Sequence, residues 1–162
     1  MKSPVQEVQA APLSRREFCA YACQAASVIT AGTFAACGGS STSPSSSTAP
    51  PLSTVSGTVS GRTVSVTVDG ASPLAAVGAA ATTQTSLGTF LISRTAQDAF
   101  TALTAVCTHE SCTISGFASS QFVCPCHGSR FTTAGAVANG PATRALQAYP
   151  TQFAGGVLTF TV

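Results

Sequence analysis

Most of the chain's capacity for chemistry lies in two short stretches, Cys107-Thr108-His109-Glu110-Ser111-Cys112 and Cys124-Pro125-Cys126-His127-Gly128-Ser129. They hold both histidines of the chain and four of its seven cysteines. Thiolate and imidazole together are metal ligands, and Cys107, His109, Cys124 and His127 supply four of them from two loops. A structural Cys₂His₂ zinc site would use the same side chains in a tetrahedron. Such sites take a cysteine pair from one knuckle and a histidine pair from another, whereas each loop here mixes the two. Zinc also leaves Cys112 and Cys126 without a role. A framework of disulfides alone gives the histidines none, and a core of about 110 residues does not need such staples.

The spacing Cys-x-His followed by Cys-x-x-His, with Pro125, Gly128 and an extra cysteine in each loop, resembles the Rieske iron–sulfur family. The stretches Phe100 to Cys112, Phe122 to Phe131 and Gly140-Pro141-Ala142 extend the resemblance from the first cluster loop to a proline loop over the cluster. It implies one [2Fe-2S] cluster per chain, with Cys107 and Cys124 on one iron, His109 and His127 on the other, and a disulfide between Cys112 and Cys126. Neutral imidazoles replace two anionic thiolates, so such centres accept an electron readily, at about −150 to +300 mV. The resemblance further implies that Gly128 lets the backbone approach the cluster, that Ser129 donates its hydroxyl to a bridging sulfide, and that Gly140-Pro141 shields the cluster from water. Three positions depart from the respiratory members of the family. Glu110 stands where quinol-oxidising relatives have a leucine, Ser111 replaces a glycine, and Phe131 replaces a tyrosine whose hydroxyl reaches a cysteine ligand.

Upstream of these loops the chain reads as an address and a tether. Ser14-Arg15-Arg16-Glu17-Phe18 precedes an uncharged run to Ala36 and resembles a twin-arginine export signal. Phe34-Ala35-Ala36-Cys37-Gly38 resembles a lipoprotein cleavage box, with Cys37 as the lipid-bearing residue; the other reading is an uncleaved transmembrane anchor from Phe18 to Ala36. Residues 38–51 are rich in Ser, Thr, Gly and Pro, which is linker composition. The expected organisation is therefore a signal over 1–37, a flexible tether over 38–51 and a folded domain over 52–162. The resemblance completes the use of the seven cysteines: Cys19 and Cys23 leave with the signal, Cys37 carries lipid, two bind iron and two pair.

The loops must be held by strands. Thr63 to Val68 and Val157 to Val162 alternate apolar and polar residues and predict strands with one buried face, and Asp69-Gly70 predicts a turn. Thr89 to Ser93, Phe100 to Ala105 and Phe122 to Cys124 are further candidates, while Ala75 to Ala81 reads as either a short helix or a loop. Short strands between Gly, Ser, Asn and Pro clusters predict an antiparallel sandwich or small barrel, and the resemblance implies an all-β sandwich with two cluster-binding loops at one end. Charged residues are only 7% of the chain and the net charge is +2, so there is no basic field for nucleic acid. The expected function is one-electron transfer by a membrane-tethered periplasmic protein of a respiratory chain, its partners donor and acceptor proteins or a quinol. The alternatives are the iron–sulfur subunit of a quinol:cytochrome c oxidoreductase, the small subunit of an arsenite-oxidase-like molybdenum enzyme, and, from another class, a zinc-stabilised lipoprotein without redox activity.

Overall fold

The computed structural model describes residues 49–162. The export signal, Cys37 and most of the tether fall outside them. Thirteen strands and no helix make up the described residues. In β3 (Thr63–Thr67) Val64 and Val66 turn inward, and in β13 (Val157–Thr161) Leu158 and Phe160 do the same. The two strands are antiparallel neighbours with Phe160 opposite Val64 and Leu158 opposite Val66, so the alternation read from sequence becomes one shared apolar face. β12 (Thr151–Ala154) and β2 (Gly57–Ser60) flank them in a sheet of order β12-β13-β3-β2.

A second sheet runs β1-β4-β5-β6-β11, built from Ser53–Thr54, Ala80–Thr85, Gly88–Ala96, Ala99–Thr104 and Ala148–Tyr149. It is the middle layer. Phe90 and Ile92 of β5 pack with Val64, Val66, Leu158 and Phe160 in one core, while Leu91 between them packs with Leu103, Ile114, Phe122 and Phe131 in another. A strand covered on both faces carries consecutive apolar residues instead of an alternating pattern, which is why Phe90-Leu91-Ile92 gives no period of two. The pairing is antiparallel throughout except between β1 and β4, which run parallel.

Ala75 to Ala79 resolves as a loop, and Ala80 and Ala81 open a strand. Turns and bends occupy 71–78, with Gly78 at φ 86°, and β4 then begins at Ala80. Arg94 of β5 reaches back to hold this loop, and it is 8% exposed. Its guanidinium donates to the carbonyls of Leu74 and Ala75 at 3.3 and 2.6 Å and to that of Gln97, and it lies over the rings of Phe100 and Phe153 at 5.3 and 5.9 Å. Carbonyl dipoles and aromatic faces thus solvate a buried charge that pairs with no carboxylate among the described residues.

The third sheet, β10-β9-β8-β7, carries the stretch from Cys124 to Ser129 between β8 and β9, and the stretch from Cys107 to Cys112 lies in the connection that leads into it from β6. Its strands are Gly116–Ala118 (β7), Gln121–Val123 (β8), Arg130–Thr132 (β9) and Val137–Asn139 (β10). Its apolar side chains, Phe122 and Phe131 among them, share the second core with Leu91 and Leu103 of the middle sheet.

Candidate metal centre

The two stretches fold as equivalent loops. The first leaves a bridge between Val106 and Thr113, and the second leaves the β8–β9 pair Val123 and Arg130. In the first, Cys107 N–H donates to Cys112 O at 2.8 Å and Ser111 N–H donates to Cys107 O at 2.9 Å. In the second, Cys124 N–H donates to Ser129 O at 2.9 Å and Gly128 N–H donates to Cys124 O at 3.0 Å. Each turn requires a left-handed residue at its fifth position, supplied by Ser111 at φ 57° and by Gly128 at φ 76°. The role of Gly128 visible in the structure is thus conformational, and Ser111 holds the same conformation with a side chain.

This doubling sorts the donor side chains by depth. Cys107 and Cys124, first in each loop, are buried in the second core and neither is in a disulfide. The two thiols hydrogen-bond to one another, and backbone N–H groups of Cys126 and His127 point at the Cys124 sulfur. Burial pushes the Cys124 thiol above its ordinary value; the hydrogen bond and charge of Cys107 add to this, and the two backbone donors oppose it. His109 and His127 are exposed and stand edge to face, with ring centroids 5.0 Å apart. Glu110 joins them: its carboxylate lies 3.7 Å from His127 Nδ1, and one ligand atom from each of these three residues falls within 4.8 Å of the others.

Cys112 and Cys126 form a disulfide with Cα atoms 6.5 Å apart, which ties one loop to the other. A third segment locks both. Ser129 Oγ, fully buried, accepts a hydrogen bond from Ala142 N–H at 3.0 Å, and Thr108 Oγ1 donates to Arg144 O at 2.6 Å. The bond from Ala142 uses a lone pair of Ser129 Oγ and not its proton. The segment just beyond the cis Gly140-Pro141 bond is therefore fastened to the second loop at Ala142 and to the first at Arg144. Pro141 itself is exposed, and Phe131 is fully buried beside the thiols in the second core.

The structure pairs the thiols of Cys107 and Cys124 with each other and the imidazoles of His109 and His127 with each other, and it joins Cys112 to Cys126 in a disulfide. Sequence reasoning missed Thr108 and Arg144, whose contact joins residues 36 apart and leaves no local signal. It read Glu110 as a departure from the leucine of quinol-oxidising relatives without foreseeing its contact with His127. The donor set fits a [2Fe-2S] group with mixed ligation: two adjacent thiols in an apolar setting with N–H groups aimed at sulfur, and two imidazoles side by side at the surface. The second nearby sulfur pair, Cys112 and Cys126, is oxidised and offers no thiolate.

Comparison with known proteins agrees. The chain is 50% identical over 46 residues to the chloroplastic cytochrome b6-f complex iron-sulfur subunit of Bigelowiella natans, a match over 28% of this chain and 18% of that protein. It is 38% identical over 60 residues to the cytochrome b6-f complex iron-sulfur subunit of a Cyanothece species, over 36% and 34% of the two chains. The matched segments are therefore a minor part of either relative. Among solved structures, the cyanobacterial plasma membrane Rieske protein PetC3 from Synechocystis PCC 6803 matches at 32% identity and TM-score 0.46, over 50% of this chain and 84% of that one. Residues 55–150 match the family description "Rieske [2Fe-2S] domain", and with both loops and their disulfide inside that span the chain belongs to the Rieske [2Fe-2S] family.

Proposed function

We propose that this protein is a one-electron carrier tethered to the periplasmic side of a membrane in a respiratory chain, with Cys107 and Cys124 on one iron and His109 and His127 on the other. The observation that carries the reading is the depth sorting of the donors, thiols touching in the core and imidazoles paired at the surface. When bound, the [2Fe-2S] cluster supplies a one-electron couple. The buried cysteines and the apolar side chains around them, Phe122 and Phe131, keep water from the sulfur side. His109 and His127 form the exposed edge at which a donor or acceptor makes contact. Ser129 holds its hydroxyl where the Ala142 N–H orients it, with its proton left for a sulfide acceptor. Phe131 offers no hydroxyl to a ligand sulfur, which places the potential below that of tyrosine-bearing relatives. Gly140-Pro141 and the segment fastened after it cover the centre.

A second reading, the iron–sulfur subunit of a quinol-oxidising complex, is favoured by the similarity to cytochrome b6-f iron-sulfur subunits. Glu110 counts against it. Its side chain is 62% exposed at the tip, and burying that carboxylate against an apolar quinol pocket costs several kcal/mol, roughly, unless a cation pairs with it. Export through Arg15 and Arg16 and lipid on Cys37 belong to the same proposal, as does the absence of nucleic acid among the partners.

Visible absorption and EPR spectra of the purified protein test the reading. A Rieske-type EPR signal lost in Cys107→Ser, His109→Ala, Cys124→Ser and His127→Ala is expected, and full iron with an unchanged signal in Cys124→Ser overturns the ligand assignment. Mass spectrometry of the mature N-terminus decides the tether, since an intact leader with unmodified Cys37 means the anchor is proteinaceous.

A further inference from the structure

A cavity of about 440 Å³ opens beside the first loop, and neither Cys124 nor His127 of the second loop lines it. Its wall includes Cys107 and His109 on one side and Arg144 and Gln147 on the other. Ten residues line it, and none of them is acidic. Arg144 is exposed and is its one permanent cation. Among the described residues the only ion pair is that of Glu110 with His127, so no carboxylate of the described domain neutralises Arg144. The Arg144 backbone is nevertheless fixed, because its carbonyl accepts from Thr108 Oγ1 at 2.6 Å. The hydroxyl of Ser111 adds a donor, and Val106, 49% exposed, with Leu146 gives the wall an apolar part.

A guanidinium, a serine hydroxyl and an apolar strip, with no acidic residue in the wall, are what a carboxylate on a small apolar body requires. The volume is that of a small-molecule site. From these observations we infer that the cavity between the first loop and Arg144 is a seat for a carboxylate, either a free organic acid or the acidic side chain of a docking partner. The inference rests on the Rieske reading for its redox consequence. An anion beside His109 repels the extra electron of the reduced centre, so the seat holds its ligand more tightly in the oxidised state. Glu110 is not part of the wall; its carboxylate lies against the histidine pair, 3.7 Å from His127 Nδ1.

The test uses the full-length, cluster-loaded protein, accepted only if its EPR spectrum is of Rieske type; without that signal the functional reading fails before this one is tried. Acetate, benzoate and a blocked single-glutamate peptide are titrated calorimetrically at constant ionic strength into wild type, Arg144→Gln and Arg130→Gln. Saturable one-site binding is expected, weakened roughly tenfold by Arg144→Gln and kept by Arg130→Gln, and roughly tenfold tighter in the oxidised than in the reduced protein. Benzoate binding below about 1 mM identifies a free acid as the ligand, and tighter binding of the peptide identifies a partner's side chain; either outcome supports the seat. No saturation with any probe, or binding by Arg144→Gln equal to wild type, overturns it.

Discussion

Replacing Ser111 by glycine is expected to stabilise the protein. Ser111 sits at φ 57° because the first loop closes with the same two backbone hydrogen bonds as the second, where glycine takes this position at φ 76°. A left-handed residue with a Cβ costs about 1–2 kcal/mol. Glycine removes that cost but adds about 0.5–1 kcal/mol of chain entropy to the unfolded state, which leaves a net gain of roughly 0.5–1 kcal/mol. Ser111 is exposed, so its side chain is not packed in either core. With a urea slope of about 1.5 kcal/mol per molar, the unfolding midpoint rises by about 0.3–0.7 M in Ser111→Gly. The opposite change, Gly128→Ser, lowers it by a comparable amount. The assay is urea unfolding of the disulfide-intact protein followed by far-ultraviolet circular dichroism, with equal slopes required for the comparison. A lower midpoint in Ser111→Gly would refute the reasoning and show that the serine hydroxyl holds something more valuable than the strain it imposes.

Two further outcomes follow from the same coordinates. Arg94→Met removes the donors to Leu74, Ala75 and Gln97 and is expected to cost about 2–4 kcal/mol, measured by the same unfolding assay, while leaving the EPR spectrum unchanged because Arg94 belongs to the other core; an altered spectrum shows that the two cores are coupled. The Cys124 thiol, raised by burial in the folded, cluster-free protein, contributes stability that is complete below its unfolded value of about 8.5 and is lost as pH climbs through the higher folded one. The urea midpoint of the cluster-free protein should therefore fall above about pH 8.5 and do so less in Cys124→Ser; equal pH dependence in the two proteins contradicts the assignment.

The site was far more legible in the sequence than the frame around it. Ligand spacing within six residues survives in the chain order, so both loops and their four donor side chains stand out by residue type, while the pairing of Cys112 with Cys126 came from the family resemblance. The strands Thr63–Thr67 and Val157–Thr161 were legible for a similar reason, since each buries one face. β4 was not. Its sequence, Ala-Ala-Thr-Thr-Gln-Thr, has little strand signal of its own and is extended because β5 pairs along its full length. Strands of two to four residues, such as β1 and β11, are too short to show a period. Arg94 looked like any surface arginine, because burial by carbonyls 20 residues away is invisible locally. The contact between Glu110 and His127 depends on how the two loops face each other, which no spacing within either loop encodes.

The order of strands in the middle sheet has a consequence for ancestry and engineering. β6 and β11 are hydrogen-bonded neighbours, with Leu103 opposite Ala148 and Ala102 opposite Tyr149, yet everything that concerns the metal lies between them in the chain. The redox lobe is thus spliced into what would otherwise be an ordinary hairpin of the base. A graft there begins and ends at adjacent points, and so can be lengthened, exchanged or deleted without rethreading any other strand. The one demand the base makes is that the insert cover Leu91 and Leu103 as Phe122 and Phe131 do here, so new electron-transfer properties can arise in the insert while that apolar seam is kept.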